Sequence, residues 1–213
     1  VVTTTAVSWF FVDGFSARII KTGASALMGL SNLYQIRIGN DYFGLGSNYN
    51  LFTHTWSLGV EEQFYLVFPL IYLLKRVSLH STTYLILLLL MSFLTFATFG
   101  YFDEINLQYY LPISRFWEIL TGAVTYLITK NASPYKYSNK KKWQMHFYVL
   151  SLIACFFIPS DYLVYSAPTI CIVTGLFLHG VATHHYKYIE TRFLLFTGEI
   201  SYSLYLYHLA VKR

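Results

Sequence analysis

Charge is scarce in this chain. Only 12% of its 213 residues are Asp, Glu, Lys or Arg, against about 25% in an ordinary soluble domain, so a conventional soluble surface is excluded. Cysteine is scarcer still. Cys155 and Cys171 are the only two, both lie in apolar runs without metal-ligand spacing, and they read as small core hydrophobes rather than ligands. Strict two-residue alternation is missing as well: Tyr84-Leu85-Ile86-Leu87-Leu88-Leu89-Leu90-Met91 is apolar throughout, which sets aside a transmembrane barrel built from alternating strands. Basic residues exceed acidic ones, 15 to 10, but the lysines cluster in one loop between apolar runs. That pattern marks topology, not nucleic-acid binding, and the 20% aromatic share looks interfacial.

What the chain does have is apolar length. Hydrophobic residues make up 55% of it, in runs recurring roughly every 25 to 35 residues, the pattern of a polytopic membrane protein. The expected fold is an all-α transmembrane bundle of six or seven spans. Residues 1–12 read as the end of one span, and further spans are expected at 57–74, 82–100, 112–129, 144–159, 163–181 and 193–211. Residues 16–34 carry Arg18 and Lys21 among aliphatic positions and suit an amphipathic helix lying along the interface. Residues 40–50 form a glycine-bearing loop. Lys and Arg number two, five and two in the first, third and fifth loops between spans and none in the second and fourth. By the positive-inside rule the basic loops face the cytoplasm, and residues 54–65 then lie near the extracytoplasmic face of a plasma or inner membrane.

The densest chemistry sits at the entrance of the 57–74 span, in Thr53-His54-Thr55-Trp56-Ser57-Leu58-Gly59-Val60-Glu61-Glu62-Gln63-Phe64-Tyr65. Ionisable groups in a membrane segment are costly and mark function by default. At helical spacing Glu61, Tyr65 and Phe68 share a face while Glu62 points elsewhere, so Glu61 is expected to be the buried carboxylate. Two plainer readings stand beside this: acidic residues suit a first helical turn, and Trp and Tyr suit an interfacial belt. Pro69 removes a donor to the Tyr65 carbonyl and predicts a kink, which serves packing or opens the Glu61 face.

Other polar groups lie further along. Arg115 and Glu118, three apart, share a helical face and form a local ion pair or an anion and hydroxyl contact. Ser201, Tyr202, Ser203, Tyr205, Tyr207 and His208 crowd one segment, as interhelical hydrogen bonders or the lining of a passage. A Ser201–His208 dyad is excluded, since seven helical residues span about 10 Å. His184-His185 lacks a third ligand and no metal is assigned; His179 suits a satisfied core histidine. Lys140-Lys141-Lys142 would suit a coenzyme A phosphate or anionic lipid.

The 54–65 stretch, followed by Phe68-Pro69, resembles the signature of the acyltransferase 3 family. Three further patches resemble the same family in order: Ser31-Asn32 with Asp41-Tyr42-Phe43, then Arg115-Phe116-Trp117-Glu118-Ile119-Leu120-Thr121-Gly122, then Gly198-Glu199-Ile200-Ser201-Tyr202-Ser203-Leu204-Tyr205-Leu206-Tyr207-His208. The resemblance implies a membrane O-acyltransferase. It would move an acyl group, most often acetyl, from acyl-CoA to a sugar hydroxyl of a cell-surface or envelope glycan such as lipopolysaccharide. It implies His54 and Glu61 as proton-handling or acceptor-binding groups and Trp56 as a sugar-stacking platform. Tyr65, Arg115, Glu118, Tyr202 and His208 would contact substrate. Acyl-CoA, a carbohydrate and membrane lipid are the expected partners, with no bound cofactor, no metal and no nucleic acid. Residues 1–213 read as a single acyltransferase domain, partial at both ends. A histidine and an arginine pair that the family places earlier find no match here, so the excerpt alone is expected to be inactive. A transporter or flippase of a lipid-linked or acylated substrate would use Glu61, Arg115 and Glu118 equally well, and an inactive helical scaffold is the third alternative.

Overall fold

The computed structural model describes residues 17–39, 52–73, 81–130, 140–155, 157–158, 163–183 and 191–211. Among these the secondary structure is entirely helical. In chain order the elements are α1 (Ala17–Leu27), α2 (Ser31–Ile38), a single 3-10 turn (Thr53–Thr55), α3 (Trp56–Leu73), α4 (Ser81–Tyr101), α5 (Ile105–Tyr110), α6 (Pro112–Lys130), α7 (Lys140–Cys155), α8 (Leu163–Thr183) and α9 (Arg192–Val211).

Helices α3, α4, α6, α7, α8 and α9 occupy the six positions where apolar runs predict spans. Two are long and apolar enough to cross a membrane: Thr82–Tyr101 in α4 and Tyr165–Thr183 in α8. At about 1.5 Å per residue each covers close to 30 Å, the thickness of a hydrocarbon core. Their exposure separates them from the core helices of a soluble protein. Only 17% of the first and 6% of the second is buried, and Leu87, Leu90, Met91, Leu94, Ile172 and Leu176 point outward. The buried positions run the other way. Thr22, Ser31, Asn32, Gln35, Gln108 and Ser114 are nearly or wholly inaccessible. Lipid tails supply no drive to hide a leucine, so hydrogen bonds and close packing hold such a bundle.

The segment expected as one amphipathic helix over 16–34 is two helices. Gly29 breaks it at φ +66°, a left-handed conformation that costs most other residues roughly 1–2 kcal/mol. The turn is closed by the Leu30 amide donating back to the Ser25 carbonyl at 2.8 Å, the six-to-one bond of a Schellman cap. Helix α2 then turns its polar side inward, burying Ser31, Asn32 and Gln35 while Leu33 is exposed.

Helix α6 is the hub, packing along α4 over the longest stretch and also touching α3, α5 and α8. Phe64 of α3, Leu85 of α4 and Leu120 of α6 form the centre of one apolar cluster, with Phe68, Phe116 and Ile119 against it. On the α6–α8 seam Thr129 Oγ1 lies 2.9 Å from His179 Nδ1, so His179 is a hydrogen-bonded but only half-buried histidine. Pro69 lies within the continuous helix α3.

Candidate functional site

His54 stands on the 3-10 turn that leads into α3. Its side chain is buried, at 7% exposure. One turn of 3-10 helix has few bonds of its own, and side chains distant in sequence hold it. Ser31 Oγ donates to the Thr55 carbonyl at 2.7 Å. The Tyr205 hydroxyl of α9 donates to the His54 carbonyl at 2.5 Å and lies 2.5 Å from Ser57 Oγ. The Tyr205 ring also meets the imidazole edge-on, with centroids 5.4 Å apart.

Two residues on, Trp56 joins Val60 and Tyr110 in a second apolar cluster. Its ring packs on Tyr109 at 4.7 Å and edge-on to Tyr110 at 5.6 Å. The Arg115 guanidinium sits over Trp56 at 5.5 Å and over Tyr109 at 5.1 Å, an arrangement favoured by the ring quadrupoles. Arg115 Nη1 also pairs with Glu118 Oε1 at 2.8 Å. The local ion pair expected for these two is present, and its cation reaches the His54 stretch of the motif through Trp56. Trp56, at 7% exposure, packs against Tyr109, Tyr110 and Arg115 and acts as a packing anchor in this arrangement.

Helix α2 is fixed to the same place by an amide pair. Asn32 Oδ1 accepts from Gln63 Nε2 at 2.9 Å, and Gln63 Nε2 also donates to the Gly29 carbonyl at 2.7 Å. Asn32 Nδ2 donates to the Tyr110 carbonyl at 3.1 Å. Gly59 makes the approach possible: a Cβ there would fall 2.8 Å from Asn32 Oδ1 and 3.1 Å from the Gly29 carbonyl oxygen.

This packing corrects the expected burial of Glu61. Helix α3 buries Trp56, Gly59, Val60 and Phe64, so the inward stripe lies on the Val60 side. Glu61, Glu62 and Tyr65 are exposed, and the Glu62 carboxylate lies against Gly29. Tyr202 is also exposed. The side chain of His208 and those of Lys140, Lys141 and Lys142 lie outside the described residues, as do Asp41-Tyr42-Phe43 and His184-His185.

The structure therefore unites His54, Trp56, Arg115 and Glu118 and leaves Glu61, Tyr65 and Tyr202 apart from them. It adds Ser31, Asn32, Gln63, Tyr109, Tyr110 and Tyr205. Ser31, Asn32, Gln63 and Tyr205 stood within the motif patches, and their presence there was the available signal. Tyr109 and Tyr110 had none.

Comparison with known proteins bears on the same stretches. A family model described as an acyltransferase domain, that of the acyltransferase 3 family, matches residues 2–212. An uncharacterized protein of Haemophilus influenzae is 30% identical over 194 residues, covering 84% of this chain and 77% of that protein. The O-acetyltransferase OatA of Staphylococcus aureus is 29% identical over 205 residues, covering 88% of this chain, and the chain spans 34% of OatA's length. No solved structure matches.

Proposed function

The chain belongs to the acyltransferase 3 family, and on that premise we propose that it is the membrane-embedded domain of an O-acyltransferase. The donor is an acyl-CoA, with acetyl the leading acyl group, and the acceptor is a sugar hydroxyl of a cell-surface or envelope glycan. In this reading six or seven spans cross the membrane and the His54 turn lies near its extracytoplasmic face.

One observation carries the reading. Four motif patches come together around residues 53–63, with Tyr205 reaching His54 across 151 residues of chain: Ser31 and Asn32, the His54 turn and Gln63, Arg115 with Glu118, and Tyr205. A scaffold needs no histidine at such a meeting point. A transferase does. The acceptor hydroxyl must lose its proton as its oxygen attacks the thioester carbonyl, and the negative charge that develops on that carbonyl oxygen must be stabilised before the thiolate leaves. His54 is the group we assign to proton handling at the acceptor, with the exposed Glu61 available on the neighbouring face. The Arg115 guanidinium, held over two rings and beside Glu118, supplies fixed positive charge. The products are the sugar ester and free coenzyme A, which takes up the proton.

Purified full-length protein in detergent tests this, because a transporter has no chemical product where no gradient exists. The expected result is free coenzyme A released from acetyl-CoA at a rate that rises with added glycan acceptor. Absence of release with every short acyl donor, together with movement of a lipid-linked sugar by the same protein in vesicles, would overturn it.

A further inference from the structure

A histidine on a single 3-10 turn is poorly fixed by its own backbone. Beside the Ser31 bond to Thr55, a contact from 151 residues further along the chain holds it. The Tyr205 hydroxyl lies 2.5 Å from both the His54 carbonyl oxygen and Ser57 Oγ. A phenol carries one proton, and a carbonyl can only accept. Tyr205 therefore donates to His54, and Ser57 donates to Tyr205. Ser57 Oγ also lies 3.5 Å from the same carbonyl, too long to compete with the shorter bond. The result is a directed chain, Ser57 to Tyr205 to the His54 backbone, with the tyrosine ring standing at 71° to the imidazole plane. The hydroxyl fixes the turn and the ring edge limits the rotation of the imidazole.

We propose that Tyr205 is the positioning residue for His54: α9 holds the turn and the imidazole in the orientation that proton transfer requires. The proposal rests on the role assigned to His54 above. Tyr205 is not a catalytic residue in this account. Position is what matters, since a reacting group displaced by about 1 Å loses on the order of a hundredfold in rate. Ser201 and Tyr202 of α9 play no part in this: Ser201 bonds back to the Gly198 carbonyl at 2.7 Å, and Tyr202 is exposed.

The test uses the full-length protein in detergent and two readouts. The first is the rate at which diethyl pyrocarbonate modifies His54, followed by mass spectrometry, which needs no enzymatic activity. The second is kcat and KM for acyl transfer. Tyr205→Phe keeps the ring and removes the hydroxyl. It should speed His54 modification about fivefold, the scale of one net hydrogen bond, and lower kcat about tenfold with KM within a factor of about two. Ser57→Ala should move both readouts the same way by less. Wild-type modification rate and kcat in a folded Tyr205→Phe protein would overturn the proposal. If that variant does not fold, unchanged His54 reactivity in Ser57→Ala overturns it instead. Failure of the function reading looks different: His54→Gln then keeps full transfer while Tyr205→Phe still exposes His54, and the positioning contact stands without the catalytic role.

Discussion

Asn32 and Gln63 hold one another through their side-chain amides, Gln63 Nε2 donating to Asn32 Oδ1 at 2.9 Å and Asn32 Nδ2 lying 3.4 Å from Gln63 Oε1. Asn32 is fully buried, and its remaining donor capacity goes to the Tyr110 carbonyl. A buried amide that loses its partner incurs roughly 1–3 kcal/mol of desolvation. Asn32→Ala and Gln63→Ala should therefore each destabilise the protein by about that much, and the double variant by less than their sum. Thermal unfolding of the four proteins in detergent gives a coupling energy, expected at about 1–2 kcal/mol. Strict additivity would mean that the pair does not hold α2 to α3.

That pair also shows where reading the sequence stops. The helices were legible because each apolar run is long: α4 and α8 fall within a residue or two of the expected spans. The break at Gly29 was not, because Arg18 and Lys21 made residues 16–34 look like one interfacial helix. Helix α5 has six residues, too few to show a period. The motif patches named residues that meet in space but not the faces they present. Spacing put Glu61 inward, whereas the short approach at Gly59 turns the Val60 side in. A contact between residues 31 positions apart, such as Asn32 to Gln63, leaves no periodic trace, and the burial of Trp56 depends on Tyr109 and Tyr110 from elsewhere in the chain.

Two glycines of the motif patches should respond oppositely to alanine. At Gly59 a Cβ would fall 2.8 Å from Asn32 Oδ1, whereas at Gly122 it would meet nothing within 4 Å. Gly59→Ala should lose about 1–3 kcal/mol by forcing α2 from α3. Gly122→Ala should be neutral or stabilising by up to about 1 kcal/mol through helix propensity. Melting temperatures check both, and equal shifts would contradict the close approach.

Arg115→Lys keeps the charge and removes the planar group. A guanidinium stacks on aromatic rings in a way an ammonium does not, so the contact over Trp56 and Tyr109 should weaken. The expected loss is about 1–2 kcal/mol in thermal unfolding, the scale of a desolvated cation–π contact. A lysine variant that melts with the wild type would show that only charge matters there.

Orientation is checked by single cysteines at Tyr49 and Lys140 in a background lacking Cys155 and Cys171. The nine Lys and Arg residues in alternate loops predict that an impermeant thiol reagent labels Tyr49→Cys and not Lys140→Cys in intact cells. The reverse pattern would invert the topology and put the His54 turn on the cytoplasmic side.

The central claim is that acyl transfer takes place at the His54 turn, where the four patches meet. Its most direct test is acceptor-dependent release of coenzyme A from acetyl-CoA by full-length His54→Gln, measured beside the wild type at matched melting temperature. Loss of a proton-handling group reduces rates by about a hundredfold or more, and that is the fall expected here, with background thioester hydrolysis unchanged. A His54→Gln protein that transfers acetyl groups at the wild-type rate would contradict the account.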